Sequence, residues 1–412
     1  MSPSARPGIG RLVAVVAATA AVAVAAGGAV AFRQGPSSES SSHVVPLGGP
    51  PPSTTQSETP VAATTPSIKP KPAPTLKPTL KPTPKATPSS PTPPKKTLPS
   101  KTPTPTGPIA LEAAKLPQGQ DPQLTYRFWH TVRGPGKQLT IPGTGSLDAF
   151  ARLGNGVFAI ASGGELTELD GTGAVLRRVP HVTTLAGRPD GSAVAYAVTA
   201  PVETGEYGAT LYSDTGAAEE SVKLPDVRSL QILAYAKDKV YYQASTQDTE
   251  PKLYSWTPGA AKPVRLPVAG QLLDVSRDGR LASWLPAANV ADGCSTVTEI
   301  ATGKKRFESC DFTISGFTPD GAVAIGRPRY GDGCSNVVTA LDARTGKVLR
   351  QWSGCFYRAT AEDNRHLLMV AVISGGGQAP VTKSTVVRCA IDTGECERAT
   401  EITTAKDVGF TS

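Results

Sequence analysis

The strongest constraint on the fold is a short pattern, a tight turn between two apolar runs, that returns six times between residues 151 and 370. Neighbouring copies are separated by 35 to 48 positions. This interval matches the ~40 to 45 residues that one four-stranded blade of a β-propeller occupies. The turns contain Asn155, Asp190, Asp238, Asp278, Asp320 and Asp363.

A second hairpin follows each first one, as in LTELDGTGAVLRRVP from Leu166 and VTALDARTGKVLRQW from Val338. Two hairpins supply the four strands of a blade, so the sequence predicts six complete blades. A further outer hairpin runs from Phe128 to Pro142, and residues 407–412 resemble the opening of an inner strand. We therefore expect the two chain ends to share a seventh blade, which would remove the open sheet edges. One strand of that blade is unaccounted for, so six blades with an irregular closure remain the alternative.

All six cysteines lie in the last three complete blades, and their even number is typical of an oxidising compartment. Hairpin register selects among the fifteen pairings that six cysteines allow. When the turn between the third and outer strands of each of these blades is placed at its Gly residue, the cysteines form three facing pairs across those strands. A metal site is disfavoured because CxxC spacing and nearby His are both missing from the sequence. The predicted disulfides are Cys294–Cys310, Cys334–Cys355 and Cys389–Cys396.

The Pro-Asp-Gly turns at 189–191 and 319–321 resemble those of TolB-like and WD-repeat propellers. The outer hairpin at 340–349 is similar to those of quinoprotein-type propellers. The resemblance covers about residues 125 to 412 and implies an all-β, seven-bladed propeller (alternatively six-bladed) of a bacterial, membrane-anchored extracytoplasmic type. A shared repeat pattern of this kind implies a common fold but does not imply a common activity.

The residues before the repeats divide into three segments. Leu12–Phe32 is uncharged and long enough for one transmembrane helix, and the arginines before it predict a cytoplasmic N-terminus of residues 1–11. Residues 33–108 are rich in Pro, Thr, Ser and Lys, which predicts a disordered stalk before a propeller domain at 109–412. The expected location is the cell membrane, single-pass, with the propeller outside. The alternative is a secreted protein, because the small residues at 29–31 also suit a signal peptide.

The formal charge of +8 lies almost wholly before residue 109, where eleven Lys and Arg accompany two Glu. The propeller is therefore nearly neutral, which argues against a nucleic-acid partner. The Lys-rich stalk could contact anionic wall polymers, and residues 12–32 the membrane.

The sequence contains no nucleophile elbow, phosphate loop or His-Glu-x-x-His motif, so no catalytic residue, metal ligand or cofactor is predicted. His130, His181 and His366 fall on different blades. Asp292 and Asp332 return on neighbouring blades, and their carboxylates could hold a cation such as calcium, but we interpret them as turn-forming aspartates.

The loops between second and third strands are long and should emerge on one face of the ring. They contain four residues of the types enriched at binding hot spots. We expect a non-catalytic module that binds a protein or glycan on this face. The alternative is a hydrolase or lyase with its active site at the central channel. The candidate binding residues are Tyr207, Arg327, Arg329 and Tyr330.

Overall fold

The chain consists of two units, Met1–Pro94 and Lys95–Ser412, and the described residues all belong to the second. The predicted membrane segment and nearly all of the predicted stalk lie outside them. No helix among the described residues is long and apolar enough to cross a membrane. The computed structural model describes residues 107–143, 145–200, 207–246, 249–286, 293–329, 333–376, 379, 381–404 and 408–411.

Six blades follow one another from residue 147, each a sheet of four antiparallel strands named inner, second, third and outer from the axis outward. Blade 1 contains Leu147–Leu153, Gly156–Ala161, Glu165–Leu169 and Val175–Val179. Blade 2 contains Val182–Gly187, Val194–Thr199, Ala209–Asp214 and Glu219–Leu224. Blade 3 contains Val227–Ala236, Lys239–Thr246, Lys252–Trp256 and Val264–Ala269. Blade 4 contains Gln271–Val275, Leu281–Leu285, Ser295–Glu299 and Lys305–Ser309.

Blades 5 and 6 share one long strand, Val348–Ala361, which is the outer strand of blade 5 and continues as the inner strand of blade 6. Its first part pairs with the third strand of blade 5, and its last part pairs with the second strand of blade 6. The other strands of blade 5 are Phe312–Phe317, Val323–Pro328 and Ser335–Asp342. The other strands of blade 6 are His366–Ser374, Lys383–Ala390 and Cys396–Arg398.

Blade 7 is shared between the two chain ends, as the sequence predicts. Its inner strand is the C-terminal Val408–Phe410, which pairs antiparallel with Tyr126–Phe128. Thr131–Arg133 and Leu139–Thr140 follow outward. The strand that sequence reasoning could not place is therefore Tyr126–Phe128, which has only three residues, all buried, and so shows no alternation. The ring has seven blades.

A segment before blade 7 fastens the chain to blades 5 and 6. Ile109–Ala110 adds a parallel strand beside Trp352 and Ser353, and a short 3₁₀ turn follows at Ala113–Lys115. The amide of Gly119 then donates to the carbonyl oxygen of Arg398 over 2.8 Å. The sequence gives no sign of this segment because its pairs lie about 240 to 280 positions away along the chain.

Arg388 holds the end of this segment in place. Its guanidinium binds Glu362, with 2.8 Å between Nη2 and Oε1, and Glu397, with 2.6 Å between Nη1 and Oε1. It also donates to the backbone carbonyls of Gln120 and Asp121, each over 3.0 Å. The hydrogen bonds that Arg388 donates to the Glu362 carboxylate raise the pKa of Arg388 above its ordinary value. We call this group of contacts the Arg388 clamp.

The blades pack face to face through apolar side chains. Both faces of the second strands are covered, so Val194, Ala195 and Ala197 of blade 2 are all fully buried. Trp352 of blade 5 is also fully buried, and its indole N–H donates to the carbonyl of Gly394 in blade 6 over 3.2 Å. The continuous runs of apolar residues in the sequence therefore correspond to strands buried on both sides.

The six cysteines are bonded in the three pairs that strand register predicts. The Cα atoms lie 4.2 Å apart in Cys294–Cys310, 5.3 Å in Cys334–Cys355 and 4.2 Å in Cys389–Cys396. Cys389 is directly opposite Cys396 in the ladder. In blade 5, however, irregularities shift the register so that Ser335 faces Phe356, and the second bond joins strands in a different register from the one predicted. Disulfides are typical of an oxidising, extracytoplasmic compartment.

Val408 is buried in the closing strand, whereas Ile402 is exposed in the connection that leads to it. We expect Val408→Asp to lower the free energy of unfolding by about 3 kcal/mol or more, because it places an unpaired charge in the core of blade 7. Ile402→Asp should change it by less than about 0.5 kcal/mol. Urea unfolding of both variants measures the difference, and equal effects would show that blade 7 does not depend on this strand.

Candidate functional site

The inner strands of all six complete blades carry an irregularity that the sequence pattern does not show. In each of them the ladder to the second strand skips a residue, and in blade 3 it does so twice, so that two inner-strand residues face one neighbour. A β-bulge of this kind redirects a side chain and is common beside binding sites. The extra residues are Asp148, Thr183, Arg228, Leu233, Leu273, Ser315 and one of the pair Tyr357 and Arg358.

A cavity of about 510 Å³ lies at the axis of the ring, lined by residues of blades 2 to 7. Residues from the bulges of blades 3, 4, 5 and 6 are among those that line it. A volume of several hundred Å³ suits a small molecule or the end group of a larger one. The charged residues in its wall are Asp274, Arg277, Arg327 and Arg358. We call it the central cavity.

Asp274 lies in the inner strand of blade 4, next to the bulge residue Leu273. Its side chain is partly accessible from the cavity but is enclosed by protein. Burial raises the pKa of Asp274 to about 7, while a hydrogen bond from the backbone of Val275 and the charge of Arg277 act in the opposite direction. Gly316 of blade 5 lies beside this carboxyl, since a Cβ there would be in van der Waals contact with Asp274 Oδ2 at 3.8 Å. Asp274 therefore changes its charge near neutral pH.

Arg327 and Arg358 face the cavity from neighbouring blades. Arg327 is near the end of the second strand of blade 5, and Arg358 is in the bulge of blade 6. Burial, together with the like charge of Arg358, lowers the pKa of Arg327. Among the described residues, no ion pair includes Arg277, Arg327 or Arg358.

Two polar atoms in the cavity wall are buried and have no partner among the described residues, Ser315 Oγ and Arg327 Nε. Buried donors are almost always satisfied in folded proteins, by protein, water or ligand. Both belong to residues that line the central cavity. The cavity is thus a polar site with free hydrogen-bond donors.

The second notable surface is the face that bears the loops between second and third strands and the connections from blade to blade. We call it the loop face. It presents four large apolar side chains to solvent, among the seven exposed ones in the described part of the chain. The other three, Val175, Leu176 and Val264, lie on outer strands. The four, with their exposed fractions, are Trp129 at 56%, Tyr207 at 47%, Val381 at 56% and Ile402 at 38%.

Trp129 is held outward by its backbone. It has a φ of 53°, in the left-handed region that a bulky residue adopts only at a cost of roughly 1 kcal/mol. Arg127 Nη1 donates to its carbonyl oxygen over 3.2 Å, and Arg127 itself is buried. Strained residues of this kind concentrate at functional sites. Sequence analysis missed Trp129, although an aromatic residue at a turn between two short strands is a signal that could have found it.

The predicted binding residues do not form one group. Tyr207 lies exposed on the loop face, whereas Arg327 lies in the wall of the central cavity. Arg329 directly follows the second strand of blade 5, and Tyr330 lies outside the described residues. Asp292 and Asp332 also lie outside them.

The one cluster of metal-ligand type among the described residues joins Glu308 with Cys294 and Cys310. Its two sulfur atoms are bonded to each other, so they are not available as thiolate ligands. Among the histidines, His366 Nδ1 lies 2.9 Å from Asp363 Oδ2 in the turn of blade 6, an ordinary turn contact.

No protein-family model and no curated protein sequence matches the chain. Solved structures with a similar fold include TolB from Acinetobacter baumannii, at 13% identity and a TM-score of 0.38, covering 57% of this chain and 67% of that one. The β-propeller domain of the Trilobed protease from Pyrococcus furiosus is 11% identical, with a TM-score of 0.40 and coverage of 63% and 98%. The C-terminal WD40 domain of Sif2 is 13% identical, with a TM-score of 0.43 and coverage of 68% and 84%.

The strand topology of the described residues is that of a β-propeller. At these identities the likeness concerns the fold alone, and the propeller's site must be understood from its own residues.

The raised pKa of Asp274 predicts a pH-dependent stability. Its ordinary value is 3.8, so between that value and about 7 the folded propeller holds a proton that the unfolded chain has lost. Stability from this group therefore falls as pH rises through the window. We expect Asp274→Asn to raise the free energy of unfolding at about pH 8 by about 1 to 3 kcal/mol and to have little effect near pH 4.

Chemical denaturation across this pH range measures the effect. The exposed Asp226, in the connection between blades 2 and 3, provides the matched control Asp226→Asn. A constant difference between wild type and Asp274→Asn at every pH would contradict the assignment.

Proposed function

We propose that the protein is a membrane-tethered, extracytoplasmic propeller that binds a protein or glycan partner on its loop face without catalysing a reaction. The observation that carries this proposal is the concentration of exposed apolar side chains there. Exposed Trp and Tyr are the residue types that dominate binding energy at interfaces. Contiguous apolar patches exposed on a protein surface mark interaction sites.

Three of the four side chains belong to adjacent blades. Val381 and Ile402 lie on blade 6 and on its connection to the C-terminal strand, and Trp129 lies on blade 7. Aliphatic side chains beside an aromatic one favour a protein partner, whereas a sugar ring would use the face of Trp129 itself. A protein is therefore the partner we favour, and a glycan is the other outcome of the test below.

The proposed location combines the disulfides with the N-terminal sequence. Three disulfides are typical of a compartment outside the cytoplasm. Leu12–Phe32 would then serve as an uncleaved anchor, and the Lys-rich residues 33–108 as a spacer that can lie along anionic wall polymers. Recovery of the intact chain in the membrane fraction supports this location, and a chain in the medium that begins at Phe32 would establish the secreted alternative.

A second function, that of a hydrolase or lyase, is favoured by one observation. Asp274 has a pKa of about 7 and faces the central cavity, as suits a group that donates and accepts protons at neutral pH. Turnover of any member of a glycoside and uronide panel that is abolished in Asp274→Asn, with folding retained, would replace the binding proposal with this one.

The binding proposal predicts a site-dependent crosslink. A photo-crosslinking amino acid placed at Tyr207, on the loop face, should capture a discrete partner on intact cells. The same amino acid at Leu176, 60% exposed on the outer strand of blade 1, should not. We expect Trp129→Ala to reduce the Tyr207 product about tenfold, because truncating an interface Trp costs at least ~1.4 kcal/mol.

The nature of the product distinguishes the partners. Sensitivity to protease identifies a protein, and sensitivity to glycosidase identifies a glycan. Equal products from the two positions, or a Tyr207 product that is indifferent to Trp129→Ala, would contradict binding on the loop face.

A further inference from the structure

Two sets of arginines in the propeller differ in the partners of their guanidinium groups. Arg177 of blade 1 contacts three carboxylates, with 2.5 Å to Glu168, 2.5 Å to Asp214 and 2.7 Å to Glu219. Arg388 binds two carboxylates and two backbone carbonyls in the clamp described above. In both cases the guanidinium group is neutralised by carboxylates that accept its hydrogen bonds.

The arginines of the central cavity differ from these. Arg277, Arg327 and Arg358 line the same space, and no side-chain hydrogen bond or ion pair among the described residues includes any of them. Burial lowers the pKa of Arg277, against the opposing charge of Asp274, and burial together with the like charge of Arg358 lowers the pKa of Arg327. An arrangement of this kind is unfavourable unless an anion completes it.

Among the described residues, the cavity wall contains one carboxyl against these three cations. It belongs to Asp274, whose raised pKa leaves it partly neutral at neutral pH. The interior therefore carries a net positive charge under these conditions, even though the propeller as a whole is nearly neutral. A concave site of one sign concentrates ligands of the opposite sign.

Two donors in the same wall lack partners. Ser315 Oγ, at the bulge of blade 5, and Nε of the Arg327 guanidinium are buried without a hydrogen-bond partner among the described residues. Guanidinium and hydroxyl donors around one space match the acceptor oxygens of a carboxylate or phosphate. Neutral ligands would leave the charges unpaired.

From these observations we infer that the central cavity binds an oxyanion, the carboxylate or phosphate group of a small ligand or of a ligand's end group, between Arg327 and Arg358. Ser315 donates to the same group, and Arg277 adds its charge from the turn of blade 4. This site is separate from the loop-face residues Trp129 and Tyr207, and it specifies the chemistry of a ligand that the proposed function leaves open.

Calorimetric titration of the full-length protein in detergent, at low salt and near neutral pH, tests the site. The probes are glucuronate for a carboxylate, glucose 6-phosphate for a phosphate, and glucose as the neutral control. We expect binding of at least one anionic sugar at millimolar concentration and none of glucose. Arg327→Gln and Arg358→Gln should each weaken that binding about tenfold or more, since each removes a charge-assisted hydrogen bond.

Arg306→Gln is the matched control, because Arg306 lies on the outer strand of blade 4 and pairs with Glu299 over 3.0 Å. It should leave affinity unchanged. Removal of one of two like charges relieves repulsion, so the cavity variants should melt at or above the wild-type temperature, which separates lost binding from lost folding.

Two results would contradict an oxyanion site in the cavity. One is that neither anionic sugar binds, and the other is that wild type and both cavity variants bind with equal affinity. Which sugar binds decides between carboxylate and phosphate. The two proposals can fail separately. Absence of anion binding contradicts the cavity site and leaves the Tyr207 crosslink unaffected. Absence of the crosslink, with anion binding retained, contradicts the loop-face partner and leaves the cavity site unaffected.

Discussion

The ring depends on one short ladder, the pairing of Val408–Phe410 with Tyr126–Phe128. Three residues from each end of the domain meet there, and no other strand closes blade 7 among the described residues. This pairing makes the two chain ends neighbours and supplies the inner strand of blade 7, which completes the ring. The central cavity exists because of it, since Phe410 and Thr411 form part of the cavity wall.

The same ring geometry explains why the inner strands carry the chemistry. An inner strand pairs with a neighbour on one side only, so its other edge faces the axis. A bulge costs little at such an edge, and it redirects side chains that would otherwise lie between blades. Ser315 and the pair Tyr357 and Arg358 belong to these bulges, and Asp274 directly follows one. Two distinct surfaces result: a polar interior with excess positive charge, and a loop face with exposed apolar side chains.

Much of the fold could be predicted from the sequence because its signals are local. An Asp-Gly turn needs only a few residues, as at Gly191, whose φ is +70° and whose neighbour Asp190 accepts a hydrogen bond from the amide of Ser192 over 2.9 Å. The disulfides could be predicted for the same reason, since register across a hairpin follows from its turn. At Cys334 and Cys355 bulges alter that register, and the pair still lies within bonding distance because a diagonal neighbour is also close.

The site could be predicted only in part because its residues come together from different blades. The sequence predicts Arg327 in a loop, but its place in the cavity wall depends on the bulged strand Phe312–Phe317 beside it. Arg358 and Asp274 are single charged residues within apolar strands, and nothing local distinguishes them from residues that face solvent. Trp129 gave a clearer signal, yet its exposure depends on the backbone conformation that Arg127 supports.

The segment fastened along blades 5 and 6 has a mechanical consequence. Tension applied to the polypeptide before Ile109 reaches first the ladder at Trp352 and Ser353, then the Arg388 clamp, and only then blade 7. Blades 5 and 6 each contain a covalent crosslink, whereas blade 7 has only hydrogen bonds and apolar contacts. The mechanical load therefore falls on blades 5 and 6, whose sheets are crosslinked by disulfides. The non-covalent pairing that closes the ring at blade 7 does not carry this load.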